Sequence, residues 1–430
     1  MVHASCLVIY WFVCVFSSVK VAAEVGGSPT VVTPSGPIVG SLMTSRRGRP
    51  IHAFRGIRYA EPPIGELRFR LPVLLTKYKE ETRQRKAPRV HKMLTRATSL
   101  TKTTYHFPFT RGGVHPRWSY YSVSGRSAGP HYLLDKDLLL VTINYRLGSL
   151  GDAEAPGNNG FKDQVTALRW VKRNIESFGG DPNCVCFIRA ISMSGSPFSQ
   201  IPRSQELLSL AVRQARLVDC PDSLTRAIVD CLRTVPWRRL GDSLKGFRDF
   251  SIDPIIIWRP VIERDYGQER FLAEDPMVSI REGRISSVPF IVSQTRDEFF
   301  WEAFLVLDNF IHTSLINSDW YRVSPIAFML PSPSNHAAAV LGEAYVGNQP
   351  LENNTEDAQN LGKLYGDAVI GFGVHSDPNP LWGTSPPTWV PFTPSNGTNL
   401  SISEQYTLGQ DWYKERYRIW EQLYPIDCSL

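Results

Sequence analysis

Apolar and polar positions follow a clear period over one central stretch of the chain. DLLLVTINYRLG (137–148) is a short apolar run that ends in turn residues, and it predicts a buried parallel strand. Over residues 157–182, apolar side chains recur every three or four positions, which predicts an amphipathic helix packed on a sheet. CVCFI (184–188) predicts a second buried strand. Strand, helix and strand in this order indicate a βαβ unit of a parallel α/β sheet.

Weaker patterns flank this unit on both sides. Residues 31–72 alternate turn signals with short extended runs, which predicts a layer of β-hairpins at one edge of a domain. Helical patterns follow at 204–220 and 223–235. Residues 288–307 predict a strand and then a helix, and residues 413–425 predict a C-terminal docking helix.

The composition is that of a globular protein, and it narrows the function classes. The chain has 430 residues, of which 42% are hydrophobic and 20% charged, enough for one large α/β domain or two ordinary ones. The net charge of +6 is too small to indicate nucleic-acid binding. The sequence contains no zinc-type Cys/His spacing, phosphate loop or internal repeat, so neither a metal nor a cofactor is predicted.

The first 23 residues have the pattern of a signal peptide. An apolar run from Cys6 to Val19 is followed by Val21-Ala22-Ala23, with small residues where signal peptidase reads, so cleavage is expected after Ala23. The run is too short for a membrane span, and no later segment predicts one. A buried N-terminal helix is the alternative. We expect a secreted protein whose domain occupies residues 24–430.

If the protein is secreted, its cysteines can form disulfides, because disulfides persist in an oxidising compartment. Cys220 and Cys231 flank a short helical pattern and are predicted to form a local disulfide. Cys184, Cys186 and Cys428 remain, an odd number, so at least one thiol has no intramolecular partner and the pairing of these three stays open.

Three acceptor sequences for N-linked glycans are also consistent with secretion. They begin at Asn353, Asn396 and Asn399.

Several long blocks of the sequence resemble one family. FRGIRYAEPPIGELRFRLP (54–72), PGNNGFKDQVTALRWVKRNIESFGGDP (156–182) and VPFIVSQTRDEF (288–299) resemble type-B carboxylesterases, the cholinesterase-like α/β-hydrolases, and most of all the insect esterases. The resemblance covers most of the chain from about residue 31 onward, excepting about 77–120. It implies the α/β-hydrolase fold, a doubly wound and mostly parallel sheet flanked by helices, here with internal deletions.

The resemblance also implies a chemistry and a substrate class. A serine attacks the carbonyl of a small-molecule ester, a histidine takes the serine proton, and a glutamate orients the imidazole. Backbone amides of a Gly-rich loop stabilise the oxyanion. The serine sits in a Gly-x-Ser-x-Gly turn between a strand and a helix.

The segment that should carry this serine is missing. In relatives, a strand like 184–188 is followed by the Gly-x-Ser-x-Gly turn and a helix, and only then by a strand like RAISMSGS. Here Arg189 follows Ile188 directly. Two adjacent parallel strands need a crossover of about a dozen residues or more. The sheet is therefore expected to lose one strand or to fuse two.

GRSAG (125–129) has the elbow pattern but the wrong context. No strand precedes Ser127, and Pro130 follows the motif at once, ahead of a strand instead of a helix. We therefore interpret Ser127 as a decoy. Ser194 is no better a candidate, because Ser192 stands where the elbow needs glycine.

The other catalytic positions are unequally preserved. Glu298 falls where the family has its triad carboxylate, the alternative being an exposed carboxylate that the first turn of a helix favours. Gly112 and Gly113 represent at best the oxyanion loop. His375 is a poor candidate for the base, because the block that holds the family's histidine is absent between Ser376 and Asp377.

The stretch 76–120 is atypical of the family throughout. Basic residues far outnumber acidic ones over 77–102, which is typical of a solvated or disordered segment, with nucleic-acid or heparin binding as the alternative. The composition favours the hypothesis that this block is read from intron or in a wrong frame.

Two functional hypotheses follow. In the first, the gene encodes a secreted esterase, and this chain lacks blocks at about 76–120, 188–189 and 376–377, so that it does not turn over esters. In the second, the chain is a non-catalytic secreted binding protein, like the cholinesterase-like adhesion proteins. Such proteins usually keep the crossover helix that is missing here, which favours the first hypothesis.

Overall fold

The computed structural model combines helices and short strands. It describes residues 11–13, 28–78, 82–83, 98–101, 130–136, 138–146, 157–185, 190–193, 204–254, 256–284, 286, 290–293, 299–330, 333–370, 397–402, 406–410 and 413–423. No helix in these ranges is long and apolar enough to cross a membrane.

The strands and helices are numbered along the chain. The strands are β1 (Trp11–Val13), β2 (Thr30–Thr33), β3 (Gly36–Val39), β4 (Ser41–Thr44), β5 (Pro50–Ile57), β6 (Thr82–Arg83), β7 (Thr98–Thr101), β8 (Leu139–Thr142), β9 (Ala190–Met193), β10 (Phe290–Ser293), β11 (Thr398–Ile402) and β12 (Tyr406–Gln410). The helices are α1 (Asn159–Asn174), α2 (Ser204–Arg216), α3 (Thr225–Thr234), α4 (Trp237–Ser243), α5 (Pro276–Arg281), α6 (Phe300–Leu307), α7 (Phe310–Ser318), α8 (Trp320–Ala327), α9 (Asn335–Val346), α10 (Thr355–Ile370) and α11 (Lys414–Leu423).

The strands of the described residues form four separate sheets. The largest has the order β1-β8-β7-β5-β4 and is antiparallel throughout. β2 and β3 form a hairpin beside β6, and β11 and β12 form another. β9 and β10 pair in parallel as a sheet of their own. The β-hairpins expected over residues 31–72 are therefore present.

The predicted βαβ unit is only partly formed. The helix is present as α1 and continues into a 3-10 helix, Ile175–Phe178. Val171 of α1 and Ile175 and Phe178 of the 3-10 helix are buried against the hairpin layer. Of the strand predicted at 184–188, Cys184 and Val185 instead belong to the 3-10 helix Pro182–Val185, and residues 186–188 lie outside the described residues. Before this helix, the Asp181 carboxylate accepts the Asn183 amide proton at 2.8 Å. The next described strand is β9, in the RAISMSGS segment.

β8, in the stretch predicted to be a buried parallel strand, is antiparallel to its neighbours. Both edges of β8 are occupied by antiparallel neighbours, β7 on one side and β1 on the other. Among the described strands, only β9–β10 and β3–β6 are parallel pairs. The mostly parallel sheet expected from the resemblance is thus not seen in these residues.

A helical layer with its own apolar core occupies the C-terminal half. Buried side chains of α6 to α10 form its centre, and α11 docks on it through Trp420. The indole of Trp420 donates to the Tyr345 hydroxyl at 2.9 Å, and this hydroxyl donates to Asp367 at 2.6 Å. Arg416 of α11 pairs with the same Asp367 carboxylate. The predicted C-terminal docking helix is confirmed.

The predicted disulfide is confirmed, whereas the predicted glycans are not tested. Cys220 and Cys231 form a disulfide that joins the end of α2 to α3, as predicted. Asn353 is exposed in the turn before α10, where its amide donates to Asp308 at 3.3 Å. Asn399 is half-buried in β11, and Asn396 lies outside the described residues. Whether these asparagines carry glycans stays a prediction.

Two buried ion pairs anchor the start of α1. Asp163 accepts two hydrogen bonds from the Arg146 guanidinium, at 2.7 and 2.8 Å, and both side chains are almost fully buried. One residue earlier, the ammonium of Lys162 pairs with Glu263, whose side chain has no exposed surface. Since α1 is the helix that packs on the hairpin layer, these pairs fix its position.

Hydrogen bonds extend these pairs into a network that joins distant segments. Asn158 donates to Glu263 at 2.8 Å and to the Val261 carbonyl at 2.7 Å. Arg146 also donates to the Arg70 carbonyl at 2.6 Å, and Asn159 donates to the Phe69 carbonyl at 3.1 Å. We call Arg146, Asn158, Asn159, Lys162, Asp163 and Glu263 the anchor network.

Replacement of Glu263 tests the anchor network. Glu263→Gln keeps the shape of the side chain but leaves the buried ammonium of Lys162 without its counter-charge. We expect the free energy of unfolding to fall by about 3–5 kcal/mol. The measurement is urea-induced unfolding of the full chain at neutral pH.

The control lies on the same face of the fold. Glu269→Gln breaks the ion pair of Glu269 with Arg169 of α1, in which both side chains are about half-exposed. Its expected cost is below about 1 kcal/mol. Equal losses in the two variants would contradict the role given to the anchor network.

Candidate active site

The predicted catalytic positions lie outside the described residues. They are the proposed decoy Ser127, the oxyanion glycines Gly112 and Gly113, the acid position Glu298 and the poor base candidate His375. The strands and helices next to these positions are described.

The connection that should carry the nucleophile is too short for it. After α1, the chain turns at Gly179, whose φ of 83° is left-handed, and forms the 3-10 helix Pro182–Val185. Only residues 186–189 then remain before β9 begins at Ala190. Four extended residues span at most about 14 Å. A strand, a sharp turn and a crossover helix cannot be accommodated in this length.

β9 is the strand that the resemblance places after the elbow and its helix. It pairs in parallel with β10 in the register Ala190↔Phe290 to Met193↔Ser293. Ser192 lies inside the strand and is buried. A side chain within a strand lacks the strand-to-helix turn that exposes a nucleophile. Ser192, which stands where the elbow needs glycine, thus lies in a strand, whereas Ser194 lies outside the described residues, and the absence of an elbow stays a prediction.

The carboxyl ends of β9 and β10 lie side by side, which is where open α/β sheets place their chemistry. The segments that follow them, 194–200 and 294–298, lie outside the described residues. Glu298 belongs to the second of these, between the end of β10 at Ser293 and the start of α6 at Phe300. Its sequence position is thus next to a strand end, as the triad acid of the family requires.

A second carboxyl group near this connection was not found from the sequence. Glu302, in the first turn of α6, has no exposed surface. Burial and the nearby Asp253 raise the pKa of the Glu302 carboxyl to about 9. The available signal was a single glutamate within the apolar run FFWEAFLVL.

The described residues also line a small pocket beside the Arg146–Asp163 ion pair. Its walls include Pro62, Pro63 and Pro72. The lining also includes Arg146 and Asp163, so the pocket adjoins the anchor network.

The comparisons with known proteins agree on one family. The sequence model of the Carboxylesterase family matches residues 27–104, 114–188 and 185–376. Juvenile hormone esterase of Tribolium castaneum is 30% identical over 413 residues, which cover 83% of this chain and 70% of that protein. Carboxylic ester hydrolase of Bombus ignitus is 29% identical, with 76% and 68% covered, and esterase FE4 of Myzus persicae is 29% identical, with 81% and 70% covered.

The family match is interrupted where the sequence departs from the family pattern. Residues 105–113 lie between the first and second segments, so the family model matches 76–104 and 114–120 of the stretch predicted to be atypical and omits only 105–113. The second and third segments meet over residues 185–188, directly before the Ile188–Arg189 junction. The third segment ends at Ser376, directly before the other junction. The chain belongs to the carboxylesterase family, whose fold is the α/β-hydrolase fold.

Proposed function

We propose that the gene of this chain encodes a secreted carboxylic-ester hydrolase, and that the chain with this sequence does not hydrolyse esters. The family and the similarity to insect ester hydrolases support the first statement. The short connection 186–189 carries the second, because it leaves no room for the nucleophile elbow. The substrate of a complete form is a small-molecule ester.

The chemistry explains why this one loss is decisive. Acyl transfer needs a nucleophile, a base and an acid that converge on one carbonyl carbon. The elbow supplies the serine, and the residue after the serine supplies an amide of the oxyanion hole. Without the elbow, a carboxylate at Glu298 has no imidazole–serine pair to support. Loss of a triad nucleophile costs on the order of a millionfold in kcat.

The division of the strands into separate sheets supports the proposal that the chain is incomplete. β8 follows the atypical block 76–120, and β9 follows the short connection 186–189. No strand of the described residues joins the two sheets to which β8 and β9 belong. We infer that a complete form has strands between them and closes the doubly wound, mostly parallel sheet of the family.

The edge of β8 supports the same proposal. β1 covers this edge, and β1 lies within residues 1–23, the predicted signal peptide. Removal of the leader would leave the apolar strand Leu139–Thr142 without this neighbour. An exposed apolar edge invites pairing with other chains. A complete esterase would cover the edge with its own strand.

The non-catalytic binding protein is the weaker alternative. Such a protein needs the family scaffold but not its catalytic side chains. The connection 186–189 removes part of the scaffold itself, so loss of activity alone does not explain this chain.

Labelling of the active serine tests the proposed lack of activity. We expect the purified full chain to show no covalent labelling by a fluorophosphonate probe and no aryl-ester hydrolysis above that of Ser127→Ala. A family member with an intact Gly-x-Ser-x-Gly turn serves as the positive control. Labelling or hydrolysis that disappears in Ser127→Ala would contradict the proposal and make Ser127 a nucleophile.

Secretion is proposed from the leader, the acceptor sequences and the disulfide. The Cys220–Cys231 bond is consistent with an oxidising compartment. Of the described acceptors, Asn353 is exposed and is the better candidate for a glycan.

Expression in insect cells with the native leader tests this route. We expect a mature N-terminus at Glu24 and a glycan that glycosidase removes, with Asn353→Gln losing one glycan. Asn354→Ser is the matched control, because it keeps the acceptor sequence and a side chain that can cap α10. A chain that keeps residues 1–23 and carries no glycan would contradict secretion.

A further inference from the structure

Two carboxyl groups lie buried together in the helical layer. Asp253 belongs to a turn that begins at Phe250, and Glu302 belongs to α6. Neither side chain has exposed surface. Phe299, Ala303 and Tyr365 are among the buried residues of the same core.

The hydrogen bonds of this pair are incomplete. The Tyr365 hydroxyl of α10 donates to Asp253 Oδ2 at 3.1 Å. Asp253 Oδ1 and both carboxyl oxygens of Glu302 have no hydrogen-bond partner among the described residues. A carboxylate in this position would be buried without compensation.

The neighbouring elements supply no counter-charge in the described part of the chain. Arg416 of α11 is paired with Asp367 of α10. His312 of α7 binds the Leu305 carbonyl through Nδ1 at 3.1 Å and packs on the Phe250 ring. The Tyr345 hydroxyl of α9 donates to Asp367, and α8 contributes the uncharged, buried Ser324. The two carboxyl groups are therefore close enough to interact electrostatically with each other and with Tyr365, and Tyr365 donates to Asp253.

A buried carboxyl group in such surroundings keeps its proton. Transfer of an unpaired carboxylate from water into an apolar core is so costly that the group becomes neutral instead. Burial also raises the pKa of Asp253, although the Tyr365 hydrogen bond lowers it in part. Ionisation of one group further disfavours ionisation of the other.

We propose that Asp253 and Glu302 together retain a proton at neutral pH, and that the helical layer α6–α10 is therefore a pH-sensitive element that weakens as the pH rises. The proton must be released when the layer unfolds or when the solution becomes alkaline. This inference does not depend on the proposed esterase function.

The sign follows from proton linkage. With a raised pKa, the folded state binds more protons than the unfolded state between the ordinary pKa of a glutamate and about 9. Stability is greatest below that window and is lost as the pH rises through it. Each additional bound proton lowers the folding equilibrium constant by about tenfold per pH unit.

Urea unfolding of the full chain across this window tests the proposal. Glu302→Gln removes the titrating group and adds an amide that can donate to a carboxylate. We expect the wild-type folding equilibrium constant to fall with pH, and the slope of Glu302→Gln to be smaller by up to about tenfold per pH unit. Glu343→Gln, which removes an exposed carboxylate of α9, should keep the wild-type slope. Equal slopes in wild type and Glu302→Gln would overturn the proposal.

A second measurement needs no substitution. The infrared spectrum of the wild-type chain at neutral pH should contain the carbonyl band of a protonated carboxyl group, and this band should disappear at alkaline pH. Its presence would support the proposal even if Glu302→Gln failed to fold. Its absence at neutral pH would overturn the proposal.

Discussion

The buried charges at the start of α1 hold the separate parts of this molecule together. Arg146 and Lys162 each pair with a carboxylate inside the protein, and their neighbours bind the backbone of the hairpin layer and of the segment near Val261. Charges buried in this way are stable only when every partner is in place. The anchor network therefore depends on the segments that contain its residues. The family model matches these segments.

The two ends of α1 differ in how far they keep the features expected of the family. The start of α1 carries the anchor network, on which the scaffold depends. Its end leads through the 3-10 helices Ile175–Phe178 and Pro182–Val185 into a connection of four residues, 186–189. A crossover cannot be shortened gradually, because parallel strands either have a helix between them or do not pair side by side. The break in the family match at 185–188 coincides with this connection. The missing block that we propose at this connection would explain both the lack of a nucleophile and the division of the strands into separate sheets.

Local patterns predicted the parts of the fold that depend on local sequence. The apolar period predicted α1, and the spacing of Cys220 and Cys231 predicted the disulfide. The parallel pairing predicted for β8 is not found, because β1 and β7 occupy its two edges. Which strands pair depends on segments far apart in the sequence, and a local pattern does not contain that information. Glu302 was missed for a related reason, since only the packed helical layer reveals that a glutamate in an apolar run is buried. The acid position Glu298 came from family resemblance alone.

The proposal that the gene of this chain encodes an esterase is tested most directly by sequencing the transcript. The sequencing must cross the codons for Ile188-Arg189 and Ser376-Asp377. We expect the transcript to contain a block that encodes a Gly-x-Ser-x-Gly turn and a helix at the first junction. At the second junction we expect a block that holds the catalytic histidine. A transcript in which the codons are contiguous at both junctions would contradict the esterase interpretation.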